Sequence, residues 1–421
     1  PSSKAWIDKL GVVDRLGWRE GTRDIRWLRT ISAIDGSRIE LDVPLTLAIE
    51  KVVCQATLRV VEKAARLQEV GIEDLALVSE FDKQNPKDEE HAWYGVHMQG
   101  VRDAWVRRVQ FRHFAGGAVM LGDTTSRITV SDCASFDPVS EIGGYRRHTY
   151  YTLGQQCLFL RCWSENGLHD FCVGHCTAGP NAFVNCYAQK ALADSGPRES
   201  CATGALYDNV RIEGTDLNLI NRWNSPPKAG WSAINCLLWQ CQAANVRCDD
   251  PPVGSNWAIG LWATPAGDGH FSNLSEFVKP LSLYQQQLNE RVGDEVAKRT
   301  GPFLLKPVGA TNPSVGQANT FSAQSAMAAR QLINFIKTNW QIQRPSNTWV
   351  PRLEDVDVRA QTSDTKPASF RVEIKNGWLT ANGQLMTGDL YTPMWWRGDL
   401  TRERAKSMGP AITRFAPGRH G

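Results

Sequence analysis

Val130-Ser131-Asp132-Cys133, Phe159-Leu160-Arg161-Cys162, Phe183-Val184-Asn185-Cys186, Tyr207-Asp208-Asn209-Val210 and Leu238-Trp239-Gln240-Cys241 decide the fold. Each run mixes apolar and polar side chains and stops on Cys or Val. With Val109 ahead of them, the closing residues Val109, Cys133, Cys162, Cys186, Val210 and Cys241 recur at intervals of 24, 29, 24, 24 and 31 residues. Recurrence over about 20 to 50 residues signals a solenoid, and these runs are too short and too rich in strand formers for paired helices. The remaining option is a β-solenoid. Its strands stack coil upon coil in parallel register, equivalent side chains form inward ladders, and a buried thiol is a small apolar rung. Cys133, Cys162 and Cys186 are therefore read as structural rungs.

Upstream, Gly71-Ile72-Glu73-Asp74-Leu75 recurs as Gly100-Val101-Arg102-Asp103-Ala104, an interval of 29 read as one further coil. Trp27 to Ile31, Ile34-Asp35-Gly36 and Ile39-Glu40-Leu41-Asp42 read as two strands joined by an Asp-Gly turn, with Pro44 stopping the second.

Composition sets the outer limits. A chain of 421 residues with 42% hydrophobic and 22% charged residues can bury a large core. The 47 Lys and Arg against 44 Asp and Glu are too evenly balanced for a nucleic-acid binder that works by neutralising phosphates. No apolar run of about 18 residues predicts a membrane span, and no signal peptide is visible. Eleven cysteines is an odd number, which excludes a complete set of internal disulfides. The 16 Trp residues offer flat platforms for sugar rings, although most are expected in the core or in coil stacks.

The repeating runs, the hairpin at 27–46 and the Gly-Ile-Glu-Asp-Leu and Gly-Val-Arg-Asp-Ala coil openings resemble the right-handed parallel β-helix superfamily of pectate lyases, polygalacturonases and related polysaccharide-cleaving enzymes. The resemblance covers roughly residues 24 to 265. It implies an all-β, right-handed parallel β-helix, a carbohydrate substrate, and a secreted or periplasmic setting. It also implies coils and a cap upstream of the hairpin, so the chain is expected to lack its natural beginning; the expected partners are a polysaccharide or oligosaccharide and either further domains of a larger chain or a second copy in a homo-oligomer. No polygalacturonase-like series of Asn-Thr-Asp, Asp-Asp and Gly-His-Gly is present, so no catalytic residue carries over.

The expected organisation is an N-terminal segment at 1–23, the β-helix at 24–265, a helical segment and linker at 266–345, and a small β-meander with a basic tail at 346–421. Leu283, Leu288 and Val292 mark a helix between Pro280 and Arg299, and Ser322 to Trp340 suits a second. Phe370 to Ile374, Asn376-Gly377, Trp378-Leu379-Thr380 and Asn382-Gly383 read as strands joined by tight turns.

Polar chemistry concentrates between 137 and 213, where long intervals predict loops on a rigid scaffold. Hydrolysis of a glycosidic bond needs two carboxyl groups. Glu141, Asp170 and Asp194 are the favoured candidates, with Asp137 and Glu165 behind them. Asp170 and Asp194 lie 24 residues apart, which predicts neighbours roughly 5 Å apart on one side of the solenoid. Tyr150, Tyr151, His169, Lys190 and Trp163 are candidate sugar contacts. The competing chemistry is β-elimination from a uronide, which needs a cation for the sugar carboxylate and a base for the neighbouring proton. Arg146 or Arg147 can supply the first and His148, Tyr150 or Tyr151 the second, although adjacent arginines on a strand point to opposite faces. A third reading is a glycan-binding module without catalysis. No cofactor is expected. Zinc at His169, Cys172, His175 and Cys176 is disfavoured because alternation splits the set between two faces, and calcium at Asp249-Asp250 is the remaining metal option, set against a solvated turn before Pro251-Pro252.

Overall fold

The computed structural model describes residues 2–305 apart from 12, 51, 54–55 and 62–65, then 314–342, and in the C-terminal part the strands at 357–360, 368–375, 378–381 and 384–385. Three parallel sheets of eleven, eight and five strands form the body. Successive coils contribute in turn to the eleven- and eight-stranded sheets, and the first five of them, up to Pro197, also to the five-stranded sheet, which makes a right-handed parallel β-helix.

The ladder intervals read from the sequence are those of the strand register. Gln110 pairs with Ala134, Ala134 with Trp163, Trp163 with Tyr187, Tyr187 with Arg211 and Arg211 with Gln242, each one residue beyond a rung. All six rungs are fully buried. The residue before each rung, Arg108, Asp132, Arg161, Asn185, Asn209 and Gln240, has φ between 51° and 58°. That left-handed residue turns the chain sharply from the eleven-stranded into the eight-stranded sheet, and Asn and Asp tolerate it best. The thiols suit the corner because sulfur packs as an apolar group and still donates weakly: Cys186 Sγ lies 3.4 Å from the Val184 carbonyl and 3.5 Å from that of Phe159. A second inward ladder runs Val106, Val130, Phe159, Phe183, Tyr207, Leu238 and Ala258. Its rings stack face to face, at 4.7 Å for Phe159 on Phe183 and 5.0 Å for Phe183 on Tyr207.

One expected coil is corrected. Leu67 pairs with Val101 and Gly71 with Trp105, so the first described coil is 34 residues long, not 29. The two similar glycine-led segments do not stack on each other. The pleat aligns faces, and Ile72 opposite Val106 continues the inward ladder.

The hairpin forms from Ile31–Asp35 and Arg38–Leu41, with Asp35 opposite Arg38 around Gly36. Its base is tied to middle coils: Arg29 donates to the Gly179 carbonyl at 2.7 Å, and Thr46 bonds Thr203 at 2.7 Å. The N-terminal segment joins it as a strap, burying Trp6, Ile7, Leu10, Leu16 and Trp18 against Cys201 and Ile234.

Beyond the last coil, helices Leu283–Val292 and Val315–Ile342 form where periodicity predicts, the second longer at both ends than expected. They belong to the solenoid's packing. Asp208 accepts from the Ser282 hydroxyl and the Tyr284 N–H, both at 2.7 Å, Asn185 accepts from the N–H groups of Leu304 and Leu305, and Arg161 donates to the Thr300 carbonyl. The polar corner residues thus anchor the C-terminal chain. Leu332 and Ile336 of the long helix bury Phe136 and Trp163 on the outer face of the eight-stranded sheet. The expected meander strands form an antiparallel sheet, with Lys375 opposite Trp378 and Ala381 opposite Gln384, and the Asn-Gly turns and basic tail expected with them lie outside the described residues.

Candidate functional site

The five-stranded sheet is built from Tyr94–Met98, Gly117–Leu121, His148–Thr152, His169–Val173 and Gly196–Pro197. Val119, Tyr150 and Phe171 point inward, whereas Met120, Tyr151 and Cys172 form a separate cluster on the outside. On that outer side His148 gathers Tyr145 and Tyr151 at 5.5 Å each and His169 at 5.0 Å between ring centres.

Asp194 is the electrostatic centre. It accepts from Arg222 Nη2 at 2.7 Å, Arg198 Nη1 at 2.8 Å and Asn218 Nδ2 at 3.3 Å. Burial alone would raise its pKa, but the charges of Arg222 and Arg198 outweigh it and hold the carboxylate below its ordinary range. His169 donates from Nδ1 to the Asp194 carbonyl at 2.6 Å, because a carbonyl can only accept. Burial, with the Arg198 charge, pushes His169 down to about 4, so the 3.6 Å between its ring and the Asp194 carboxylate is contact with a neutral imidazole and not an ion pair. By the same logic His148 Nε2 carries the hydrogen toward the Gly144 carbonyl at 3.2 Å, leaving Nδ1 as a lone pair that is buried without a partner. Burial, helped by His169 and Arg198, drives its pKa well below the usual value. Arg198 is one-fifth exposed and also keeps an unpartnered donor, Nε. Tyr145 donates to Glu199, and burial together with the Glu199 charge keeps both Tyr145 and Tyr151 protonated.

Of the residues anticipated from sequence, His148, His169, Tyr151 and Asp194 come together here. Arg146 lies nearby, bound to Glu89 at 2.6 and 3.0 Å and set over Trp93. Arg147 turns away to Ser140; both arginines precede the strand His148–Thr152, and Arg147 has φ 54°, so the alternation expected of strand residues does not apply to them. Asp170 is in register with Asp194 by the 24-residue offset of Cys172 and Gly196, but the two carboxylates diverge. Asp170 faces the lumen, fully buried, and accepts from Thr149 at 2.8 Å and from Ser164. Burial lifts it to about 6. The expected pairing of Asp170 with Asp194 is therefore corrected, because the sheet separates them. Glu141 is an exposed partner of Lys87 at 3.0 Å. Tyr150 is inside the solenoid, donating to the Trp163 carbonyl, and Trp163 stacks on Tyr187 at 4.7 Å beneath the long helix, so neither offers a ring to a ligand. Lys190 is exposed at the end of Tyr187–Gln189, in the eight-stranded sheet. Asp137 pairs with Arg112, and Glu165 accepts from Trp163 Nε1. Asp249 is engaged by Arg247 and the Asn221 N–H. Among the described residues no three His, Cys, Asp or Glu side chains converge as metal ligands.

Arg198, Glu199 and Arg222 were not anticipated. Coil arithmetic points to them: Glu199 lies 24 residues after His175, whose N–H it accepts at 2.7 Å, and Arg222 lies 28 after Asp194.

Fold and cluster together define a parallel β-helix with an arginine, histidine and tyrosine assembly on the outer face of one sheet. A family model described as a domain of unknown function (DUF6298) matches residues 269–421, the region of the docked helices and the small sheet, and contains none of the cluster. No curated protein and no solved structure matches the chain.

Proposed function

We propose that this protein cleaves glycosidic bonds in a uronic-acid-containing polysaccharide by β-elimination on the outer face of the five-stranded sheet. The observation that carries the reading is that Arg198, cationic and with a donor unused, and the neutral His148 imidazole, whose Nδ1 lone pair is also unused, both belong to the cluster around His169 and Asp194. Elimination needs a cation to offset the sugar carboxylate as the adjacent carbon loses its proton, a base that is unprotonated at neutral pH, and a proton donor for the departing oxygen. Arg198 fits the first role, His148 or His169 the second and Tyr145 the third. The carboxylates favoured for hydrolysis support that mechanism less: Asp170 is in the lumen, Asp194 is neutralised by two arginines, and Glu141 is a surface ion pair.

The test is incubation with a broad panel of plant and microbial polysaccharides, following new reducing ends and ultraviolet absorbance together. Both signals rising on a uronide substrate are expected. Reducing ends without absorbance would assign hydrolysis, and binding without any cleavage would assign a glycan-binding module.

A further inference from the structure

On the corner leading from the five-stranded into the eleven-stranded sheet, Cys176 and Cys201 occupy equivalent places in successive coils. Ala178 is in register with Thr203, and the bonds Cys176 N–H to Ser200 carbonyl at 2.6 Å and Thr203 N–H to Thr177 carbonyl at 3.0 Å bracket the pair. In-register parallel strands lie about 4.8 Å apart, inside the roughly 4.4–6.8 Å between Cα atoms that a disulfide spans. Both thiols are free. Cys176 Sγ also lies 3.4 Å from His175 Nε2. Among the described cysteines Cys176 alone is incompletely buried.

The charged groups facing this corner favour a thiolate. Arg23 of the N-terminal strap donates to Ser200 at 2.9 Å, and Glu199 accepts the His175 N–H. Burial pushes the Cys176 thiol up, but hydrogen bonds from Cys201 and His175 and the charges of His175 and Arg23 outweigh it and hold it at about 6. Burial lowers His175, yet its bond to Cys176 and the charges of Cys176 and Glu199 raise it overall. Cys201 is pushed well up by burial and by Cys176, so one thiolate and one thiol stand side by side. This combination of a low-pKa, accessible cysteine and an adjacent protonated one distinguishes the corner from the inert ladder rungs.

We propose that Cys176, His175 and Cys201 form an oxidisable thiol site, at which a hydroperoxide converts the two cysteines reversibly into a Cys176–Cys201 disulfide. The Cys176 thiolate attacks one peroxide oxygen and the O–O bond breaks. The departing oxygen takes a proton from the His175 imidazolium, and Cys176 becomes a sulfenic acid. The Cys201 thiol then attacks that sulfur, the S–O bond breaks, and hydroxide leaves with the Cys201 proton as water. Two thiols are oxidised and one peroxide is reduced, and a dithiol reductant reverses the change. The site is independent of the glycan-cleavage reading.

The experiment uses the full chain, treated with a small excess of hydrogen peroxide, alkylated in the native state and mapped by peptide mass spectrometry. A Cys176–Cys201 cross-link is expected, reversed by dithiothreitol, with Cys133, Cys162 and Cys186 unmodified until the protein is denatured. Native alkylation of Cys176 without peroxide should show a pH midpoint near 6, moving upward in His175→Gln. Cys201→Ala should leave a sulfenic acid on Cys176 that dimedone traps. Cys176 labelling no faster than the ladder cysteines, or peroxide treatment yielding no cross-link in the unmodified sequence, would overturn the proposal, and neither result depends on a variant folding.

Discussion

The outer faces of the eight- and five-stranded sheets belong to the same coils and could hardly differ more. On the first, Trp163, Tyr187 and Phe136 make an apolar surface that the helix Val315–Ile342 covers. On the second, His148, His169, Asp194, Arg198 and Arg222 make a polar one, in which most groups find partners but an imidazole nitrogen and a guanidinium nitrogen do not. The solenoid divides its labour between these faces. Every coil repeats the same inward rungs, so stability is supplied by the lumen and by whatever seals an apolar face, and the remaining face is free to carry unsatisfied polar groups.

The comparison predicts opposite signatures for substitutions on the two faces. Trp163→Ala should lower unfolding free energy by about 3–5 kcal/mol, the usual cost of emptying a buried indole site, while leaving turnover per folded molecule unchanged; urea titration and rate measurements at saturating substrate check both halves. Arg198→Gln should do the reverse. Asp194 retains Arg222 and Asn218, so the urea midpoint should stay close to that of the parent, while kcat/KM falls on the order of 10²–10³-fold, as for loss of one transition-state charge partner. A Trp163→Ala protein that is stable but inactive would exchange the roles of the two faces.

A finer test separates the lumen from the outer face at one register position. Asp170 is lifted by burial to about 6, above an unfolded value of 3.8. The folded state therefore keeps this proton where the unfolded chain has lost it. Its contribution is most favourable below about pH 4 and falls as pH rises through 6, by up to roughly 3 kcal/mol at a cost of 1.36 kcal/mol per unit. Asp170→Asn should gain stability relative to the parent between pH 4 and 7, measured as the difference in Tm. Asp194→Asn should show the opposite slope, because its carboxylate is held down by two arginines and its stabilisation disappears as acid protonates it. Equal slopes would mean that both carboxylates face the same environment. The smallest effect is expected at the ladder. Cys186→Ser should cost about 1 kcal/mol, the low end for burying a hydroxyl, since the Val184 and Phe159 carbonyls remain as acceptors.

Much of this architecture was legible in the sequence because the inward ladder is a one-dimensional signal. A rung must be small and apolar on every circuit, so Val109 through Cys241 spell out the coil lengths. The glycine-led segments near 71 and 100 misled because local similarity need not equal register. The first coil carries extra residues that only the pairing of Leu67 with Val101 reveals. The site was half legible. His148, His169 and Asp194 stand out as polar groups on successive coils, but at a sheet corner one residue decides whether a carboxylate enters the lumen or leaves it, and period-two alternation fails there. Thr149 and Asp170 both turn inward beside inward Tyr150 and Phe171. Tyr150 and Trp163 read as available because aromatic rings serve cores and surfaces alike; the docking of the helix Val315–Ile342 over one sheet is a tertiary fact that periodicity cannot express.

The most direct measurement is the mass of the fragments released from a uronide polymer. Elimination breaks the bond between the ring carbon and the departing oxygen without adding water, so every internal cut should leave a new non-reducing end lighter by one water than the hydrolytic fragment, and these fragments should vanish with Arg198→Gln. Fragments of full hydrated mass, or light fragments that persist undiminished in that variant, would contradict elimination at the outer face of the five-stranded sheet.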